Sequence, residues 1–213
     1  NNMAKNKTVF VCNECGYESP KWMGKCPSCN AWNSFFEEKV ISSSSLNSGK
    51  KKEVSKPIEL NKIEGKTEAK ISTGFNELDR VLGGGLVNGS LILLGGEPGI
   101  GKSTLILQIC NKIKTDGKVL YVSGEESGEQ IKLRADKKKK KNDNLLFLSE
   151  TNMENIEENI LLINPKLVII DSIQTMYSDE ITSAAGSVSQ VREITAKIMR
   201  TCKENGVTTI LIG

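Results

Sequence analysis

Residues 91–114 read LILLGGEPGIGKSTLILQICNKIK, an apolar run, a glycine-rich turn and an amphipathic stretch in immediate succession. The turn, Gly96-Glu97-Pro98-Gly99-Ile100-Gly101-Lys102-Ser103, fits the pattern G-x-x-x-x-G-K-[ST] in the strand-then-helix setting that the pattern requires. Glycines let the backbone wrap closely around phosphate oxygens. The N–H groups of residues 99–104 and the following helix N-terminus then form a positive nest for a triphosphate. Lys102 is expected to reach the β- and γ-phosphates and Ser103 to bind Mg²⁺, with Thr104 closing the loop.

Working outward, short apolar runs alternate with amphipathic stretches from Ile71 onward. The expected strands are Leu91–Leu94, Lys118–Ser123, Leu145–Ser149, Leu167–Ile170 and Val207–Ile212. Helices are expected between them at Lys102–Lys114, Gly128–Ala135, Met153–Ile163 and Val188–Glu204. The last places Val188, Val191, Ile194, Ile198, Met199 and Cys202 on one face. Strands regularly separated by helices predict an α/β fold, a mostly parallel sheet with helices on both faces. Cys110 and Cys202 fall inside helical apolar patterns and read as small core residues.

Two further stretches belong at the carboxyl edge of that sheet. LVIID (167–171) is a buried strand ending in Asp171, placed to share the Mg²⁺ coordination shell. Parallel α/β sheets bind ligands at this edge, so Asp171 and the phosphate loop converge. Hydrolysis also needs a group to orient and deprotonate water. Ser172 follows Asp171, so the base must come from elsewhere. The strand at 118–123 runs into Gly124-Glu125-Glu126-Ser127. Glu125 is the favoured base and Glu126 the alternative; two surface acids stabilised by a helix dipole are the competing reading.

The N-terminus carries different chemistry. Cys12-x2-Cys15-x10-Cys26-x2-Cys29 sets two thiolate pairs on two tight knuckles, the arrangement that closes a tetrahedron around structural Zn²⁺. Gly16 and Asn30 suit the positive-φ turns of such knuckles. With four protein ligands the site has no open catalytic position. Residues 8–38 form this module and hold six of the ten aromatics of the chain. Trp22 and Trp32 are read there as mini-core, with a partner surface as the alternative. Residues 39–66 include the Ser- and Lys-rich run ISSSSLNSGKKKEVSK (41–56) and read as a flexible linker, with the segment from Pro57 to Lys70 transitional. The ATPase core is assigned to 67–213.

Composition narrows the alternatives. The 213 residues suit one domain with an appendage, and no stretch approaches the ~20 apolar residues of a membrane span. No signal-peptide pattern opens the chain, so secretion and membrane insertion are not expected and a cytoplasmic location is. The absence of His removes imidazole catalysis and mixed Cys/His metal sites. Residues 1–70 carry 12 basic and 8 acidic side chains, a net +4, and residues 71–213 carry 17 and 18, a net −1, so the excess of the +3 chain lies in its first third. Lys137–Lys141 reads as a solvated loop, with a nucleic-acid contact as the alternative. Asn1 and Asn2, ahead of Met3, read as added residues.

ISTGFNELDRVLGGGL (71–86), GGEPGIGKST (95–104), YVSGEES (121–127) and LVIIDSIQTMYS (167–178) resemble the RecA-type ATPase core of the bacterial RadA/Sms DNA-repair family. The segment FVCNECGYESPKWMGKCPSCNAWNSF (10–35) is similar to that family's zinc motif. The resemblance implies a RecA-like P-loop fold and an ATP-driven motor that forms a hexameric ring on single-stranded or branched DNA. It implies recombination and branch migration alongside the recombinase, with Lys102 and Ser103 in the phosphate and Mg²⁺ roles, Asp171 as the second metal-site acid and Glu125 as base. It also implies that Gln174–Gln190 corresponds to a channel-facing loop; Arg192 is a candidate phosphate contact. The family continues into a Lys-Asn-Arg-Phe-Gly motif and a Lon-like domain, so the core reads as cut short at Gly213. The competing function is a nucleotide-gated regulator that recruits a protein through the zinc knuckle.

Overall fold

The computed structural model describes residues 7–40, 57–65, 68–135 and 143–213, and the chain divides into two units, Asn1–Glu68 and Ala69–Gly213. The lysine run at 137–141 and the linker residues 41–56 and 66–67 lie outside the described residues. The first unit contains β1 (Lys7–Cys12), β2 (Glu18–Ser19) and β3 (Phe35–Val40), with β1 in the centre and antiparallel to both neighbours. Its core is small: Cys12, Cys26 and Phe35 are buried, with Phe10 and Met23 packed against them. Tyr17 meets Phe35 edge-on, ring centroids 6.4 Å apart. The expectation that the tryptophans fill this core is corrected. Trp22 is 54% and Trp32 72% exposed, because the cysteine knuckles and Phe35 already occupy the centre of so short a segment.

In the second unit, β4 (Lys70–Ile71) precedes α1 (Asn76–Val81) and pairs antiparallel with β5 (Leu86–Val87). There follow β6 (Leu91–Leu94), α2 (Lys102–Lys112), β7 (Val119–Ser123), α3 (Gly128–Ala135), β8 (Leu145–Ser149), α4 (Met153–Ile163), β9 (Leu167–Asp171), α5 (Val188–Glu204) and β10 (Thr208–Ile212). The five long strands form one parallel sheet in the order β6-β10-β9-β7-β8, which bears out the α/β expectation. The central strands are continuous apolar runs because helices cover both faces. Tyr121, Ile169 and Ile210 point to the face packed by α2 and α3; Val122, Ile170 and Leu211 point to the face packed by α4 and α5. Cys110 and Cys202 are buried, one in each layer. Among the described residues no helix is long and apolar enough to cross a membrane.

Helix α5 shows how packing refines a periodic pattern. Ile194, Ile198 and Cys202 are buried as the spacing predicts, whereas Val188 and Met199 lie at the margin, 37% and 49% exposed. Ser189 and Gln190 are buried in their place. Gln190 Oε1 accepts from the Ser178 N–H at 3.1 Å, and its amide nitrogen donates to the Ser183 carbonyl. The small polar residues after β9 are therefore held inward by a side chain of the helix that follows.

Lys197 on α5 ties the same region to α4. Its ammonium lies 2.9 Å from Glu154, 3.3 Å from Glu157 and 3.1 Å from Glu180. Burial alone would raise the Glu154 carboxyl, but the Ser178 hydroxyl and Lys197 outweigh it and hold it at about 2 against an ordinary 4.5. A folded pKa below the unfolded one gives stability that is complete above about pH 4.5 and lost as pH falls toward 2. Lys197→Met is expected to lower stability by about 2 kcal/mol at pH 7, between exposed and buried pairs. Thermal unfolding from pH 7 to 3 should show a shallower acid decline in the variant than in wild type.

Candidate active site and candidate metal centre

All five parallel strands end on one edge, and there a cleft of about 660 Å³ is lined by Gly96, Pro98, Gly99 and Gly101–Thr104 together with Glu125, Glu126, Arg134, Asp171, Ser172, Gln174 and Gly213. The phosphate-loop residues Lys102, Ser103 and Thr104, both glutamates and Asp171 are thus brought together. Glu97 and Ile100 do not line the cleft, and the Ile100 side chain is 70% exposed. Gly99 and Gly101 adopt φ of +80° and +100°, which lets the loop double back before α2 starts at Lys102. Lys102 Nζ donates to the carbonyls of Gly96 (2.5 Å) and Glu97 (2.9 Å), which sets its charge across the mouth of the loop.

Asp171 at the end of β9 accepts a 2.5 Å hydrogen bond from the phenol of Tyr121 on β7. Burial, and then the Asp171 carboxylate, push the Tyr121 hydroxyl well above its usual range, so it stays a donor; the Ser103 hydroxyl reaches the same phenol. Ser103 and Asp171 thereby present oxygen donors of the type that Mg²⁺ takes. Motif reasoning did not find Tyr121. Its signal is a lone phenol in the buried strand VLYVS, since a buried Tyr hydroxyl needs a partner.

The loop after β7 sorts the two glutamates. The Gly124 N–H donates to the Asp171 carbonyl at 2.9 Å, and a Cβ on Gly124 would come within 2.0 Å of Thr175 Oγ1. Only glycine lets the two strand ends approach this closely. Ser127 and Gln130 bond reciprocally at the start of α3, Gln130 Oε1 accepting from Ser127 N at 3.0 Å and Ser127 Oγ from Gln130 N at 3.3 Å. From that fixed helix Arg134 reaches back to Glu126 at 2.5 Å, both side chains about one-third exposed. Glu125 is exposed and has no ion-pair partner among the described residues. Arg134 is the second residue that motif reading missed; eight positions separate it from Glu126, and only the turn into α3 joins them.

In the first unit the Sγ atoms of Cys12, Cys15, Cys26 and Cys29 all lie within 4.8 Å of one another, with Cys12–Cys29 and Cys15–Cys26 each at 3.6 Å. A tetrahedron with Zn–S of ~2.3 Å has sulfur–sulfur edges of about 3.8 Å, so the four ligands fit the ion. Gly16 (φ +74°) and Asn30 (φ +61°) make the expected turns, and their N–H groups donate to the carbonyls of Cys12 and Cys26. Burial raises the Cys12 thiol, but the Ser34 hydroxyl and the N–H groups of Cys15 and Glu14 outweigh it and bring it to about 6. At Cys29 a backbone bond at Ala31 is outweighed by burial and the neighbouring sulfurs, which push it up to about 12. Four thiols this close cannot all ionise without a cation among them. The chain is expected to hold one equivalent of zinc by elemental analysis, and Cys26→Ser to lose it on dialysis against a chelator.

An AAA domain matches residues 59–213, and a rubredoxin metal binding domain matches residues 10–37. The chain is 54% identical to the DNA repair protein RadA of Halalkalibacterium halodurans, and 51% identical to the proteins of the same name from Bacillus subtilis and Aquifex aeolicus. Each match covers 99% of this chain and 47% of the relative, so the chain spans about half the length of those proteins. The fold and cleft define an AAA-type ATPase domain preceded by a four-cysteine zinc ribbon. The chain belongs to the RadA/Sms family.

Proposed function

We propose that this chain is the nucleotide-binding and hydrolysing core of a DNA-repair motor that acts on single-stranded or branched DNA. The observation that carries the reading is the cleft at the carboxyl edge of the sheet, lined by the phosphate loop, Asp171 and a Glu125 without an ion-pair partner among the described residues. The name shared by the relatives, DNA repair protein RadA, supports the choice of DNA as the substrate. Assembly as a hexameric ring, work beside a recombinase in branch migration and a cytoplasmic setting follow from family membership and belong to the same proposal.

In phosphoryl transfer the protein contributes chiefly position and electrostatics. The backbone N–H groups of Gly99–Thr104 cradle the ATP phosphates, and Lys102 exchanges its carbonyl partners for the β- and γ-phosphates. Bound Mg²⁺ would neutralise phosphate charge, held by Ser103 and Asp171. Tyr121 donates to Asp171 and fixes the orientation of that carboxylate. Glu125 orients the attacking water and accepts its proton. Glu126 cannot easily share that task, because Arg134 holds it.

ATP turnover by the full-length protein, with and without single-stranded DNA, tests the reading. DNA is expected to stimulate turnover, and Lys102→Ala to abolish it. Glu125→Gln should cost about 10²-fold or more, the usual worth of a general base, and Glu126→Gln about tenfold or less. The reverse order would exchange the two roles. No stimulation and no DNA binding at low salt would contradict the motor; slow hydrolysis with partner capture dependent on Cys12 would point to a nucleotide-gated regulator.

A further inference from the structure

The two tryptophans of the zinc ribbon remain unexplained by either the fold or the ATPase site. Both lie beside the second cysteine knuckle. Trp22 lies across Gly24, whose Cβ position is 3.8 Å from the indole ring, and Lys25 pairs with Trp32 in an isolated antiparallel bridge. The Lys25 ammonium stands 5.5 Å from the Trp32 ring centroid. Trp22, Gly24, Lys25 and Trp32 all belong to the stretch of chain around the second cysteine knuckle, a strip whose turns the cysteine cluster holds in place. Two indoles exposed to 54% and 72% are not core, and they are the only tryptophans of the chain.

One stretch of the ribbon is free of acids, while Lys7 and Lys39 share β1 and β3 with Glu37 and Glu38. Residues 20–34, PKWMGKCPSCNAWNS, contain Lys21 and Lys25 and no carboxylate. The acids sit elsewhere: Glu14 on the first knuckle, Glu18 on β2, and Glu37 and Glu38 on β3. Lys21 and Lys25 are exposed, and neither has an ion-pair partner among the described residues. Met23, the largest non-aromatic apolar side chain of the segment, packs against the mini-core, which leaves the two indoles and the lysines as its large exposed side chains. Aromatic faces take bases by stacking and lysines take the phosphates between them, which is how single strands are held without sequence preference.

We propose that this strip is a stacking platform for single-stranded DNA, a second contact distinct from the ATPase unit. The proposal rests on the reading of the protein as one that acts on DNA. A duplex would not satisfy it, because its bases are already stacked on one another.

Tryptophan emission of the whole chain gives a direct test, since every emitting indole belongs to the strip. Oligo-dT is expected to quench it, in wild type and in Lys102→Ala alike, while a duplex of equal length and heparin leave it nearly unchanged. By anisotropy of labelled oligo-dT, the pair Trp22→Ala and Trp32→Ala should bind about tenfold more weakly or worse, and the two Phe replacements should recover most of the loss. Lys21→Ala with Lys25→Ala should reduce the slope of log affinity against log salt by about 1.4. Zinc content checks that each variant keeps its fold. If the alanine pair loses zinc, the wild-type quenching and the salt slope decide. Absence of oligo-dT binding, binding without quenching, or full affinity in a zinc-loaded alanine pair would overturn the platform. DNA-stimulated ATP turnover alongside any of these results would leave the motor reading standing; quenching without stimulation would do the opposite.

Discussion

Strand β9 is hydrogen-bonded on both sides, to β10 and to β7, and every side chain from Leu167 to Ile170 is buried. That placement sets the rest of the ATPase unit. Because all neighbouring strands run parallel, their carboxyl ends fall on one edge, and the loops that leave them must share it. Asp171 is the first residue of β9 to leave the fully buried run, and it emerges between the ends of β10 and β7. Tyr121, two strand positions before the end of β7, then has the Asp171 carboxylate within reach. The cleft follows from strand direction and burial before any particular loop is considered.

The two units solve the problem of stability by different means. The ATPase unit closes two apolar layers, one on each face of the sheet, to which strands and helices both contribute. The ribbon has a buried cluster of Cys12, Cys26 and Phe35 and little more. A core of that size cannot offset the conformational entropy of its own chain, so metal ligation carries much of the folding free energy. Its two tryptophans are thereby released from packing. Phe35 faces inward, while Trp22 and Trp32 remain on the surface.

Much of this was legible in the sequence, for reasons that can be named. The helices at 128–135, 153–163 and 188–204 and the strands at 91–94 and 145–149 fall where periodicity places them. The cysteine spacing and the glycines of the phosphate loop carry their geometry in local backbone terms, and local signals survive folding. What escaped were relations across the chain. The Tyr121–Asp171 bond spans fifty positions, and Arg134 reaches Glu126 only because α3 begins between them. The inward turn of the serines after β9 depends on Gln190, a polar residue that a pattern of apolar spacing passes over. The tryptophans were misjudged because hydrophobicity alone favours burial, whereas the volume available inside the ribbon was already filled by the knuckles.

The central claim is that the phosphate loop, the β7 end and the β9 end act as one nucleotide site. Amide hydrogen exchange, with and without Mg²⁺ and a non-hydrolysable ATP analogue, tests it without relying on turnover. The account predicts coordinated protection of residues 99–104, 124–126 and 171–175 on addition of the analogue. Protection confined to other segments, or none at the phosphate loop, would contradict it.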